Sequence, residues 1–184
     1  MCDCDHSQSA FEPNSQENLL QYIDVQNCKY LNAIYPVDVF SNRENESPLI
    51  SDADDSLIIQ IPFSVPVKLF EIQFRFSNEQ SKHALLFKNR VIDFDDEDAD
   101  AVIAQYKSSE QYYPIKPNLF PNVSLLQVYL KDNWNNNEQL ELLHIELRGQ
   151  SLQIIKDPVI TLYEVAANPQ DHPQIIGNTH SVGY

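Results

Sequence analysis

Apolar and polar residues alternate with a period of two through the middle of this chain, the spacing of strands with two unlike faces. Leu57, Ile59 and Ile61 alternate with Ile58 and Gln60 in a β-branched run bounded by Asp55 and Pro62. Because Ile58 is apolar too, this strand is expected to be covered on both faces. Over 67–76 the apolar set begins Val67, Leu69 and continues Phe70, Ile72, Phe74, Phe76, with Glu71, Gln73 and Arg75 between. The change of parity at Leu69-Phe70 predicts a bulge or bend. Further strands are read over 83–87, over 123–131 and over 139–148, the last with a parity slip at Leu142-Leu143. His144 lies on the side shared with Glu146 and Arg148 and is read as facing solvent or a groove. A last strand is expected over 159–165, after which Pro169 and Pro173 stop any pairing.

No interval between these strands carries a helical pattern long enough for a crossover, so an antiparallel sandwich is expected rather than a parallel sheet. The first 17 residues are polar and aperiodic and are read as a flexible tail, as are residues 166–184. Between 19 and 31 the loose spacing of Leu19, Leu20, Ile23, Cys28 and Leu31 fits a short helix or an irregular docking segment, and residues 33–48 read as a long loop. The folded body is thus placed at 18–165.

Length and composition narrow the function classes. A chain of 184 residues fits one domain, 42% hydrophobic content can fill its core, and no apolar run approaches a bilayer span. A formal charge of -15 repels nucleic acid and anionic lipid and favours basic protein surfaces. Three cysteines and an N-terminus without secretory character point to a reducing compartment, cytoplasmic and nuclear. With only 3 glycines, phosphate-cradling loops are not expected and turns fall to Pro, Asn and Asp.

Five groups of residues carry candidate chemistry. Cys2, Cys4 and His6 combine thiolates with an imidazole, a set that suits zinc but lacks a fourth ligand unless His172 or His180 supplies it; the plainer alternative is an oxidisable tail. Asp93, Asp95, Asp96, Glu97, Asp98 and Asp100 lack the turn glycine and final glutamate of a calcium loop, and Asp95–Asp98 are read as partner-facing. Asp52, Asp54 and Asp55 form a carboxylate group whose first reading is turn formation rather than acid and base work. Trp134, among Asn133, Asn135, Asn136 and Asn137, is the one spot suggestive of a sugar site, but its first reading is a turn. In the C-terminal segment, His172, His180 and Tyr184 are candidate docking residues, able to occupy a partner's metal site. No nucleophile, base and orienter stand in recognisable order, so no enzyme and no resident cofactor are expected.

Several motifs in order resemble the PITH domain: Cys28-Lys29-Tyr30-Leu31-Asn32, the run from Ser51 through Asp54-Asp55 and Ile59 to Val67-Lys68-Leu69, Lys88-Asn89, Phe120-Pro121-Asn122-Val123 and Leu147-Arg148-Gly149. The likeness covers residues 19–165, and Ala167-Asn168-Pro169-Gln170-Asp171-His172 resembles the stand-alone members rather than the thioredoxin fusions. Gln150 departs from the acidic residue expected after Leu147-Arg148-Gly149. The resemblance implies an all-β jelly-roll sandwich of the galactose-binding type. It also implies a monomeric, non-catalytic factor whose partner is the 26S proteasome regulatory particle. The alternative from the fold alone is a module that binds a small ligand or carbohydrate.

Overall fold

The computed structural model describes residues 16–41, 47–77, 81–105, 111–134 and 139–152. All lie in a compact unit spanning Met1–Gln153. The strands are β1 (Glu17–Asn18), β2 (Lys29–Leu31), β3 (Leu49–Ile50), β4 (Leu57–Phe76), β5 (Ser81–Lys88), β6 (Ala101–Ala104), β7 (Tyr112–Pro114), β8 (Val123–Asn133) and β9 (Glu141–Ser151). Every pairing among them is antiparallel.

The 20-residue β4 organises both layers of the sandwich. Its first half lies between β2 and β8, with β5 and β6 beyond β8. Its second half lies between β7 and β9, and β9 in turn holds β1 and β3. Leu57, Ile59 and Ile61 from the first half, Leu69, Ile72 and Phe74 from the second, and Leu126, Val128, Leu130, Leu142, Ile145 and Leu147 fill one shared core. Such wholesale burial of branched and aromatic side chains is what holds two sheets together.

The alternation separates a strand bounded by Pro62 from one beginning at Val67, whereas the structure runs a single strand through both. Pro62 stands beyond the last pairing with β2, Gln60 with Lys29, so its missing N–H leaves no gap in that ladder, and its carbonyl accepts the Asp24 N–H at 2.9 Å. The register with β8 shifts between Pro62 and Val67, and from Val67 onward the strand also pairs with β9. Both expected parity slips are present. Leu69 pairs with Gly149 and Glu71 with Arg148, leaving Phe70 unmatched; Arg75 pairs with His144 and Phe76 with Leu142, leaving Leu143 unmatched.

His144 is a correction. It does share the outer side with Glu146 and Arg148, but it is only 7% exposed, because the stretch after Pro36 lies along β9, with Val39 accepting the Ile145 N–H at 2.8 Å. The outer face of β4, β8 and β5 is also covered. Ile58, Leu85, Phe87, Ile92 and Tyr129 form a second, smaller core there, closed by Phe94 from the 91–100 loop. This is the double-sided burial that Ile58 predicted.

Residues 19–31 form no α-helix. Two 3-10 turns, Leu19–Tyr22 and Val25–Asn27, occupy the stretch, the first capped by Asn18 Oδ1 accepting from Leu20 N at 2.8 Å. Glu17, the last residue of the expected tail, pairs with Gly149 and accepts the Ser151 N–H at 3.1 Å. The strand expected over 159–165 lies outside the described residues.

Candidate docking surface

The residues Cys28 through Asn32 earn their place through Asn32, which sits at φ 61°, a left-handed conformation that asparagine tolerates better than most. From there its carbonyl accepts Asp52 N–H at 2.9 Å, its Oδ1 accepts Ala53 N–H at 2.9 Å, and its Nδ2 donates to Asp54 Oδ1 at 2.8 Å and the Ser56 carbonyl at 2.7 Å. Asp54 Oδ1 also accepts from Ser56 N–H at 3.0 Å and from the Ser56 hydroxyl. Ser51 Oγ donates to the Asp54 carbonyl at 2.6 Å and accepts Leu140 N–H at 2.8 Å, and Asp55 Oδ2 accepts Asn133 N–H at 2.9 Å. Asp54 is thus a turn acceptor, as its place ahead of a strand indicates, while Asp55 ties the turn to the end of β8.

Lys88-Asn89 and Phe120-Pro121-Asn122-Val123 are likewise two halves of one structure. Asn89, at φ 53°, donates from Nδ2 to the Asn122 carbonyl at 2.8 Å and accepts Ser124 and Leu125 N–H on Oδ1 at 2.8 and 3.2 Å. The Lys88 ammonium lies 5.6 Å over the Phe120 ring and donates to the Leu119 carbonyl. Gly149 is explained by proximity: a β-carbon there would stand 2.1 Å from the Lys68 carbonyl oxygen. Beside it Arg148 binds Glu146 at 2.9 Å and stacks 3.9 Å over Tyr112. Thus the motifs preserve turns and close approaches rather than reacting groups.

The acidic loop is pinned from below and open above. Ile92 and Phe94 enter the smaller core, Phe94 meeting Tyr129 edge-on at 5.7 Å, while Asp96 Oδ2 accepts Asp93 N–H at 2.8 Å and Asp100 Oδ2 accepts Lys88 N–H at 2.9 Å. Asp95, Asp96, Glu97 and Asp98 are exposed. Glu97 has one nearby cation, Lys131, at 3.7 Å, a surface pair of small worth. The structure therefore displays this carboxylate group on a fixed platform.

Other candidates fare differently. Trp134 is partly exposed and carries the Lys82 ammonium 5.8 Å over its ring, so one face already has an occupant. His83 Nδ1 lies 2.9 Å from Asp132 on the surface. Burial, then Asp24 and Asp38, push the Cys28 thiol up to about 12, and its Sγ donates to the Asp24 carbonyl at 3.5 Å. Among the described residues no three His, Cys, Asp or Glu side chains are grouped to hold a metal ion. Cys2, Cys4, His6, His172, His180 and Tyr184 lie outside the described residues.

One feature was not legible in the sequence. The supposed loop over 33–48 folds back on β3, with Ile34 donating its N–H to the Ile50 carbonyl at 3.0 Å and Ala33 bridging Ser51. Ile34, Tyr35, Val37, Ser47, Pro48 and Ile50 line an open cavity of about 380 Å³. The apolar residues Ile34, Tyr35, Val37, Val39 and Phe40 in the first half of the loop were the available signal.

Comparison with known proteins completes the site. A family model described as PITH domain matches residues 9–167. This chain belongs to the PITH domain family. A PITH domain-containing protein of Schizosaccharomyces pombe is 30% identical, with 95% of this chain and 92% of that protein covered. PITH domain-containing protein 1 of Homo sapiens is 30% identical over 78% of this chain and 72% of its own length. The PITH sandwich also resembles a solved pair of CBM32 domains from Clostridium perfringens ZmpB, with TM-score 0.54 and 12% identity. That likeness covers 74% of this chain and 36% of the other, and it shows the shared galactose-binding type of sandwich.

Proposed function

We propose that this PITH protein is a non-catalytic, monomeric factor of the cytoplasm and nucleus that docks on the 26S proteasome regulatory particle through its sandwich surface and terminal segments. The observation that carries this reading is the family match over residues 9–167, joined to the exposed Asp95–Asp98 carboxylate group. With a net charge of -15, association with a basic partner surface is steered and salt-dependent. The C-terminal residues His172, His180 and Tyr184 complete the contact, and Cys2, Cys4 and His6 remain a candidate zinc set within the N-terminal segment.

The sugar-binding alternative has less behind it. Similarity to CBM32 domains at 12% identity concerns the sandwich alone, and Trp134 already stacks beneath Lys82. The test is binding of the full chain to purified regulatory particle, compared with a chain lacking residues 166–184 and a variant with Asp95, Asp96 and Asp98 changed to Asn and Glu97 to Gln. Saturable binding by the full chain that falls at least fivefold in each variant supports the reading. No binding at 50 mM salt would overturn it. Metal analysis of purified wild type against Cys4→Ser tests the zinc set, and a metal-free wild type ends it.

A further inference from the structure

The cavity beside β3 differs from the rest of this surface in chemistry as well as shape. Ile50 pairs with Glu141 on one side, and on the other the hydrogen bond from Ile34 N and the Ala33–Ser51 bridge set Ile34 opposite Ile50. Residues directly opposite in antiparallel strands share a face, so Ile34, Ile50 and Glu141 form one row across it. Asp52, two positions beyond Ile50, is exposed. Across the cavity Val37 and Pro48 supply further apolar wall, and Tyr35 stands 74% exposed.

We propose that this cavity receives one bulky apolar side chain from a cationic protein segment, whose flanking lysines or arginines meet Glu141 and Asp52 while its backbone crosses Tyr35. This deepens the proteasome reading and rests on it only for the partner's identity. Size and chemistry choose the occupant. A volume of about 380 Å³ lies at the small end of roughly 300–1,000 Å³ ligand sites, room for a leucine, methionine or phenylalanine side chain with its neighbouring backbone. Among the described residues the lining's side-chain polarity is limited to the Tyr35 and Ser47 hydroxyls, too little to replace the water around a hexose. A second copy of the chain is opposed by repulsion between two bodies of charge -15. An aromatic and aliphatic anchor point with an acidic rim is instead how interface hot spots are built, and Tyr35 adds a π-face for a cation.

The test uses the full chain, isotopically labelled, and a synthetic eleven-residue peptide with one central leucine between three lysines on each side and glycine spacers. Two control peptides replace the leucine by alanine or every lysine by glutamine. The expected result is saturable shifts of the Ile34, Tyr35 and Ile50 amide signals, with at least tenfold weaker binding of the alanine peptide. Tyr35→Ser, at an exposed position, and Ile34→Asp are each expected to weaken binding at least tenfold, with thermal melting confirming that both fold. Asp52→Asn combined with Glu141→Gln is expected to weaken it threefold or more and flatten its salt dependence. Equal binding of the alanine peptide, shifts confined to another surface, displacement by N-acetylgalactosamine, or concentration-dependent dimerisation that buries the same residues would each overturn the proposal. Regulatory-particle binding by wild type and Tyr35→Ser separates this claim from its parent. Peptide binding without particle binding sinks only the proteasome reading; particle binding that Tyr35→Ser leaves unchanged sinks only the pocket.

Discussion

Gly149 and Lys68 pass so closely that a β-carbon on Gly149 would come within 2.1 Å of the Lys68 carbonyl oxygen and 3.0 Å of Leu19 Cδ1. The obstacle is mainly backbone, in strands paired on both sides of the contact, so it cannot swing aside as a flexible side chain would. Gly149→Ala is therefore expected to lower stability by about 3 kcal/mol, at the upper end for overpacking. Urea unfolding checks it: the midpoint falls while the slope stays constant.

Asn32 joins two distant stretches through four hydrogen bonds from one left-handed residue. Asn32→Gly keeps the conformation and loses the side-chain bonds, whereas Asn32→Ala loses both. We expect Asn32→Ala to cost about 1 kcal/mol more than Asn32→Gly. A double-mutant cycle with Asp54→Ala should return a coupling of about 0.5–2 kcal/mol, and additivity would show that the 2.8 Å contact does not stabilise the turn.

Asn89 uses both ends of its amide, donating to the Asn122 carbonyl and accepting from Ser124 and Leu125. Asn89→Asp keeps the acceptor and removes the donor, so it is expected to cost about 1–2 kcal/mol, with Asn89→Ala costing more. Thermal melting at neutral pH measures both. Faster amide exchange at Ser124 and Leu125 should appear only in Asn89→Ala.

The Cys28 thiol is raised from 9.0 to about 12 by burial first, then by Asp24 and Asp38. A neutral thiol is favoured in the fold, so its contribution is fully present below pH 9, where both states are protonated. It declines as the unfolded chain ionises and is lost by about pH 12. Burial pushes the Tyr30 hydroxyl in the same direction. Stability should fall between pH 9 and 11, and Cys28→Ala should make that fall shallower. Alkylation of native Cys28 at pH 8 should be far slower than that of an unfolded thiol.

Much of the sandwich could be read from parity. The two slips at Leu69-Phe70 and Leu142-Leu143 are visible because the inward-facing set changes register by one, which only an extra residue can accommodate. The short strands β2, β3, β6 and β7 gave no such signal, since two to four residues are too few to show a period. His144 shows a different limit: alternation places a side chain on a face but says nothing about whether a loop covers that face. The docking cavity was hidden for the same reason, as its walls meet only when the 33–48 stretch returns to Ile50. By contrast the turn at Asp54 was legible, because aspartate and serine ahead of a strand act through local bonds, whereas the reach of Asp55 to Asn133 was not.

The continuity of β4 from its pairing with β8 into its pairing with β9 has a mechanical consequence. Since one unbroken ribbon is a member of both layers, neither sheet can melt, slip or be excised while the other persists. The domain should come apart in a single step, and a nick between residues 62 and 67 should release the two halves together, whereas a nick in an exposed connection elsewhere leaves the body standing.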